Sequence, residues 1–161
     1  MNDWQRWRPL GVALLASYAT AGIGGALTDL GPWYQALVQP AWKPPDAAFG
    51  PIWTLIFTLA AISGAMGWQA AEYPWERQRV VGLFVVNAVF NIAWSALFFT
   101  IKRPDWALME WGALWLSVVA LLVGLWPISR LAALLNLPYL IWVSVAGWLN
   151  WDNVRLNAPF M

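Results

Sequence analysis

The chain has 161 residues, of which 61% are hydrophobic and only 11% charged, with a formal net charge of +1. It contains no histidine and no cysteine. A His-ligated haem, a zinc hydrolase, a Ser-His-Asp triad, a thiol nucleophile and a disulfide are therefore excluded. The neutral charge balance gives no footprint for nucleic acid. Fifteen tryptophans, by contrast, far exceed what a soluble domain uses.

Charged residues divide the chain into five apolar stretches: about Pro9 to Thr28, Gly50 to Ala71, Val80 to Ile101, Asp105 to Trp126, and Leu131 to Trp151. Each is roughly 20 residues, the length at which an α-helix crosses a hydrocarbon core. None alternates apolar with polar as a barrel strand does. The expectation is an all-α membrane protein, one domain over 1–161, built as a bundle of five transmembrane helices in a lipid bilayer. The first stretch is too long for a signal-peptide core and should persist as a helix. Arg6, Arg8, Arg77, Arg79 and Arg130 fall on the N-terminal side, and Lys43, Lys102, Arg103 and Arg155 on the other. That small excess leans to a cytoplasmic N-terminus but leaves the orientation nearly undetermined.

Along the first span, Ala21/Gly25 and Gly22/Ala26 repeat small residues at four-residue spacing, as Ala60/Gly64 do on the second. Such pairs let helices approach closely, and packing within the chain is the expected use. The loop from Asp29 to Phe49 is the one long connection. It holds Pro32, Pro40, Pro44 and Pro45 with Trp33, Tyr34 and Trp42. Prolines stiffen it and aromatics give it something to bury, so it reads as a lid. Trp33 to Leu37 should form a short helix.

On the third span Asn87 and Asn91 are i and i+4 and share a face, which Trp94 and Ser95 continue. Buried amides in a membrane either hold helices together or bind a ligand's polar edge, and both readings stay open. Glu110, on the fourth span, reads as a snorkelling interfacial carboxylate or a proton-relay group. On the fifth, Pro138 should start or kink the helix, and small Ala146 and Gly147 should leave room beside Trp142. Asp152 and Arg155 should form a surface ion pair. Antiparallel alternation brings Trp33, Trp42, Trp53, Trp94, Trp106 and Asn150 to the loop side, where they should frame a pocket for a flat apolar ligand.

Trp33–Pro45 reads W-Y-Q-A-L-V-Q-P-A-W-K-P-P, followed by G-P-I-W at Gly50–Trp53 and P-Y-L-I-W at Pro138–Trp142. With Asn91, Trp94, Phe98-Phe99, Ala146 and Leu149-Asn150, these motifs resemble the TspO/translocator protein family, the tryptophan-rich sensory proteins. The resemblance covers nearly the whole chain. It implies a five-helix receptor, sensor or carrier, often a homodimer, that binds tetrapyrroles such as protoporphyrin IX and related hydrophobic ligands. The implied ligand-lining positions are Ile23, Ala26, Trp42, Phe49, Ile52, Trp53, Asn87, Phe90, Asn91, Trp94, Trp106, Trp142, Ala146 and Leu149. No cofactor or metal is required; porphyrin is the ligand. The alternative is an enzyme that degrades porphyrin with light and oxygen, using Trp53 and Trp142. Three departures stand out, the first being Asn87 where many relatives have glutamine. Ser95-Ala96 follow Trp94 where relatives commonly carry proline. Arg155 lacks the tyrosine of a sterol-recognition pattern, which argues against specific sterol binding.

Overall fold

A computed structural model describes residues 3–160, with side chains from Trp7 onward; the Arg6 side chain lies outside the described residues. Its elements in chain order are α1 (Asp3–Leu27), α2 (Pro32–Ala36), α3 (Asp46–Ala70), α4 (Pro74–Ser95), a π-helical turn (Ala96–Thr100), α5 (Pro104–Leu125), α6 (Arg130–Leu134) and α7 (Leu137–Asn157). No strand occurs among the described residues. Five helical segments are long and apolar enough to cross a membrane: Trp7–Leu27, Asp46–Ala70, Pro74–Thr100, Pro104–Leu125 and Arg130–Asn157. The protein is an integral, multi-pass membrane protein.

Prolines set several helix starts. Pro32, Pro74 and Pro104 stand in the first turn, where the missing N–H is no loss. Pro45 caps α3, which begins before the expected Gly50 and carries Pro51 in its second turn. α4 also begins earlier than the apolar stretch. Arg77 lies 5.5 Å over the Trp68 ring and Arg79 5.0 Å over Trp75. Their charges thus sit at the interfacial level while the helix continues beneath them.

α4 does not end regularly. Ile101 N–H bonds back to the Ala96 carbonyl at 2.8 Å, a five-residue step that widens the helix. The wide turn lies where the Ser95-Ala96 departure was noted. It places Phe98 and Phe99 side by side, centroids 4.7 Å apart. Lys102 then closes the segment in the left-handed region at φ 59°.

The fifth span is two helices. Asn136, fully buried between α6 and α7, donates to Ser63 Oγ at 2.8 Å and to the Ala132 carbonyl at 3.0 Å. Ser63 itself donates to Ala132 at 2.6 Å. α7 starts next to Pro138 and runs on to Asn157, past the expected Trp151.

The α5–α7 seam is cross-linked by indole hydrogen bonds. Gly147 is buried against the Trp111 ring, and a Cβ there would lie 2.0 Å from Trp111 Cε2. Trp111 N–H donates to the Val143 carbonyl at 2.8 Å, and Trp115 N–H to Ser144 at 2.9 Å. Asn150 completes the seam. Oriented as its neighbours require, its amide donates to the Pro104 carbonyl and accepts from Leu108 N–H, both at 3.1 Å.

α1 behaves differently. From Trp7 to Leu27 only Gly24 is buried. A Cβ on Gly24 would meet Ser95 Oγ at 3.6 Å and Asn91 Oδ1 at 3.9 Å, so α1 touches α4 near its loop end. Gly22 and Gly25, expected to pack within the chain, face open space instead. Of the small-residue pairs, only Ala60/Gly64 packs inside, with Gly64 3.3 Å from the Phe84 ring when given a Cβ.

Candidate functional site

Below the Gly24 contact, α1 leaves α4. The wedge between α1, α3 and α4 is a cavity of about 860 Å³. From α1 it takes one face at three- and four-residue spacing: Pro9, Val12, Ala13, Ala16 and Thr20. From α3 it takes Phe57, Ala60, Ala61 and Gly64, and from α4 Phe84, Val85, Ala88 and Ile92. Small residues face one another across the wedge, so helix backbones alone do not fill it. Its size lies within the range of small-molecule sites.

Polar groups are few, and on the α1 wall they are Ser17 and Thr20, the latter turned back to the Ala16 carbonyl. Arg8 stands at the N-terminal mouth, while Asn87 and Tyr139 form the inner wall. Asn87 donates to Ser117 Oγ at 2.9 Å, and Asn91 donates to the Tyr139 hydroxyl at 2.9 Å. Both amides therefore join α4 to a neighbouring helix, and Asn87 also borders the cavity. Rim residues Val12, Val85 and Val89 are each more than half exposed on the outer surface. The cavity thus faces the hydrocarbon sideways, between α1 and α4.

The aromatic residues expected to frame a pocket pack mainly on one another. Ile52, Trp53, Phe90, Trp94 and Trp142 surround a buried cluster of Ile56, Leu114, Val118, Tyr139 and Val143. Trp53 stacks on Phe57 at 5.5 Å and meets Tyr139 edge-on at 6.0 Å, so it backs two rings of the cavity wall. Phe49 meets Trp142 edge-on at 5.4 Å. Trp94 stacks on Phe98 at 5.3 Å, and Trp33 meets Phe98 from the other side at 6.3 Å. Ala146 and Leu149 are half-buried on α7. Four expected residues lie apart from this group, on the outside of the chain. Ile23 and Ala26 are exposed on α1. Trp106 is exposed beneath the Arg103 guanidinium at 4.3 Å. Trp42 is exposed, with its N–H bound to Asp152.

The α1 face that lines the cavity went unnoticed in the sequence, although its signal is there. Ala13, Ala16, Ser17 and Thr20 are small residues on one face, and Ala60, Ala61 and Gly64 answer them on α3. Glu110 is a correction: both its carboxylate oxygens are buried, so it does not snorkel.

The loop is tied down rather than free. Val38 N–H donates to Asn157 Oδ1 at 2.8 Å, and Asn157 Nδ2 returns a bond to the Val38 carbonyl at 2.9 Å. Tyr34 donates to Asp46 at 3.2 Å, and Lys43 pairs with the same carboxylate. Burial raises the Tyr34 hydroxyl above its ordinary range. Burial alone would lower Lys43, but its bonds to Asp46 and Tyr34 outweigh that and raise it. Asp152 and Arg155 form the expected surface pair at 3.6 Å.

The TspO/MBR family profile matches residues 11–155. The chain belongs to the TspO/MBR family. Protein CrtK of Rhodobacter capsulatus is 37% identical over 142 residues, covering 86% of this chain and 87% of that protein. Tryptophan-rich protein TspO of Chlorobaculum tepidum is 35% identical over 130 residues, covering 78% and 79%. The human translocator protein is 30% identical over 126 residues, covering 78% and 75%. TspO/MBR membership and the five spans place the chain among multi-pass membrane sensor and receptor proteins, and both agree with the resemblance read from the loop and α7 motifs.

Proposed function

We propose that this protein binds a flat, largely apolar ligand with an anionic edge, of the tetrapyrrole class, in the cavity between α1, α3 and α4. The observation that carries the reading is that cavity of about 860 Å³, mostly apolar, with Arg8 at its mouth and Asn87 and Tyr139 on its inner wall. A porphyrin macrocycle offers apolar faces to Phe57 and Phe84. Its propionates reach the mouth, where the Arg8 guanidinium is a fixed partner for carboxylates. Sensing or carriage follows from occupancy alone and needs no catalytic group.

The test is quenching of tryptophan fluorescence by protoporphyrin IX in detergent. Ala13→Trp and Ala88→Trp fill the wedge from two helices, and each should weaken binding at least tenfold. Unaltered titrations in both variants, with unchanged thermal unfolding, place the ligand elsewhere.

One observation favours the enzymatic alternative, porphyrin degradation with light and dioxygen. Trp53 stands one ring behind the cavity wall, stacked on Phe57. An oxidisable indole so close to a bound chromophore is placed to donate an electron. Illumination of the complex with product analysis, in the parent and in Trp53→Phe, separates binding from turnover.

A further inference from the structure

The two ends of the bundle hold their cations differently. On the loop side stand Lys43, Lys102, Arg103 and Arg155, among the carboxylates of Asp29, Asp46, Asp105 and Asp152. Lys43 is paired with Asp46, Arg103 with Asp105 and Arg155 with Asp152. Lys102 lies 5.9 Å over the Trp33 ring. On the opposite side stand Arg8, Arg77, Arg79 and Arg130, and the carboxylates beside them are Glu72 and Glu76. Glu76 is spent on the start of α4, where it accepts from the N–H groups of Glu72 and Tyr73 at 2.8 and 3.1 Å. No ion pair among the described residues includes any of these arginines.

Tryptophan takes the place of the carboxylate. Arg79 sits 5.0 Å over Trp75, Arg77 5.5 Å over Trp68 and Arg130 5.7 Å over Trp126. All six side chains are exposed. The pairs are gathered, not scattered. A Cβ on Gly67 would lie 3.2 Å from Leu125 Cδ2 and 3.4 Å from Val80 Cγ2, so the ends of α3 and α5 meet the start of α4 there. Val80, Leu125 and Ala133 share one buried cluster, which brings in α6. Trp68 follows Gly67, Arg79 precedes Val80, Trp126 follows Leu125, and Arg130 stands one turn before Ala133.

A guanidinium paired with a carboxylate is neutralised. One laid flat on an indole keeps its charge and its fork of N–H donors. Exposed tryptophans settle at the level of the lipid headgroups and hold the guanidinium there. Forked donors at that depth match phosphate oxygens, and unneutralised positive charge favours lipids of net negative charge. We propose that this end of the bundle is a binding surface for anionic phospholipid headgroups, with Arg77, Arg79 and Arg130 as the phosphate contacts.

Native mass spectrometry of the full chain in detergent tests this, by titration with phosphatidylglycerol and with phosphatidylcholine of the same acyl chains. The parent should bind phosphatidylglycerol roughly tenfold more tightly. Arg77→Gln/Arg79→Gln/Arg130→Gln should bring the two lipids to about equal affinity. Arg8 is left in place because it stands at the cavity mouth. Lys102→Gln removes a lone cation from an indole on the loop side and should leave the preference as it is. Trp75→Leu/Trp126→Leu keeps the charges but releases two guanidinium groups, and the preference should shrink to between those of the parent and the arginine variant. Glycerol 3-phosphate in excess should not displace the lipid; if it does, the surface is a site for soluble phosphate esters and the proposal fails. Thermal unfolding shows that each variant is folded. A parent that takes both lipids equally, or a folded arginine variant that keeps the preference, overturns the assignment.

Discussion

The Trp42 indole N–H donates to the Asp152 carboxylate at 2.9 Å, across 110 positions of sequence. The first loop is thereby fixed to the last helix, and Asn157 holds Val38 a turn and a half further along α7. The proline-rich segment is a strap joined at two points.

Asn157→Ala removes both bonds to the Val38 peptide. These are exposed, so the cost should be about 1 kcal/mol, not the larger penalty of an orphaned buried group. The local effect should be plain: amide exchange at Val38 rises several-fold while the bundle amides stay protected. Protection at Val38 equal to that of the parent would show that the strap is held elsewhere.

Gly147→Ala should be among the most damaging small substitutions. The new Cβ overlaps the Trp111 ring at 2.0 Å, and Trp111 is pinned by its bond to Val143. Overpacking of this kind costs ~1–3 kcal/mol or more. Gly25→Ala is the control. Nothing lies within 4 Å of its Cβ, so it should gain up to about 1 kcal/mol of helix propensity. Thermal unfolding in one detergent ranks the two, and a Gly147→Ala midpoint at or above that of Gly25→Ala contradicts the seam.

Tyr139→Phe keeps the ring packing and strips the partner from Asn91. An orphaned buried amide costs ~1–3 kcal/mol. The midpoint should fall accordingly, and Asn91→Leu in the same background should recover part of it. No recovery would mean that the bond is not what Tyr139 contributes.

Raising the pH should loosen the strap. Lys43 titrates higher when folded than when unfolded, because Asp46 and Tyr34 favour its charged form. Its contribution is therefore fully present below the ordinary lysine range and is lost as pH rises through the raised value. Stability should fall more steeply at alkaline pH in the parent than in Lys43→Met. Superimposable pH profiles would remove the Lys43–Asp46 pair from the account.

The helices were legible because hydrocarbon leaves the backbone no other choice. Runs of apolar residues between Arg8, Lys43, Arg77, Lys102 and Arg130 mark the spans. Their ends were less legible, since Arg77 and Arg79 lie back on Trp68 and Trp75 and let α4 begin six residues early. The π-turn at Ala96 and the break at Asn136 depend on partners distant in sequence. The loop-side aromatic group was visible in order, as Trp53, Trp94 and Trp142 do meet one core cluster. What could not be read was how fully those rings fill their own space. The open volume lies instead where small residues of α1 and α3 face each other, a pairing that no single motif announces.

α1 has a further consequence. It packs along α3, where the Tyr18 and Thr58 hydroxyls share a hydrogen bond at 2.7 Å, and meets α4 near Gly24. α5 and α7 are cross-linked by Trp111, Trp115 and Asn150. The α1–α4 side is therefore the open edge of the cavity, and its threshold is lipid rather than loop.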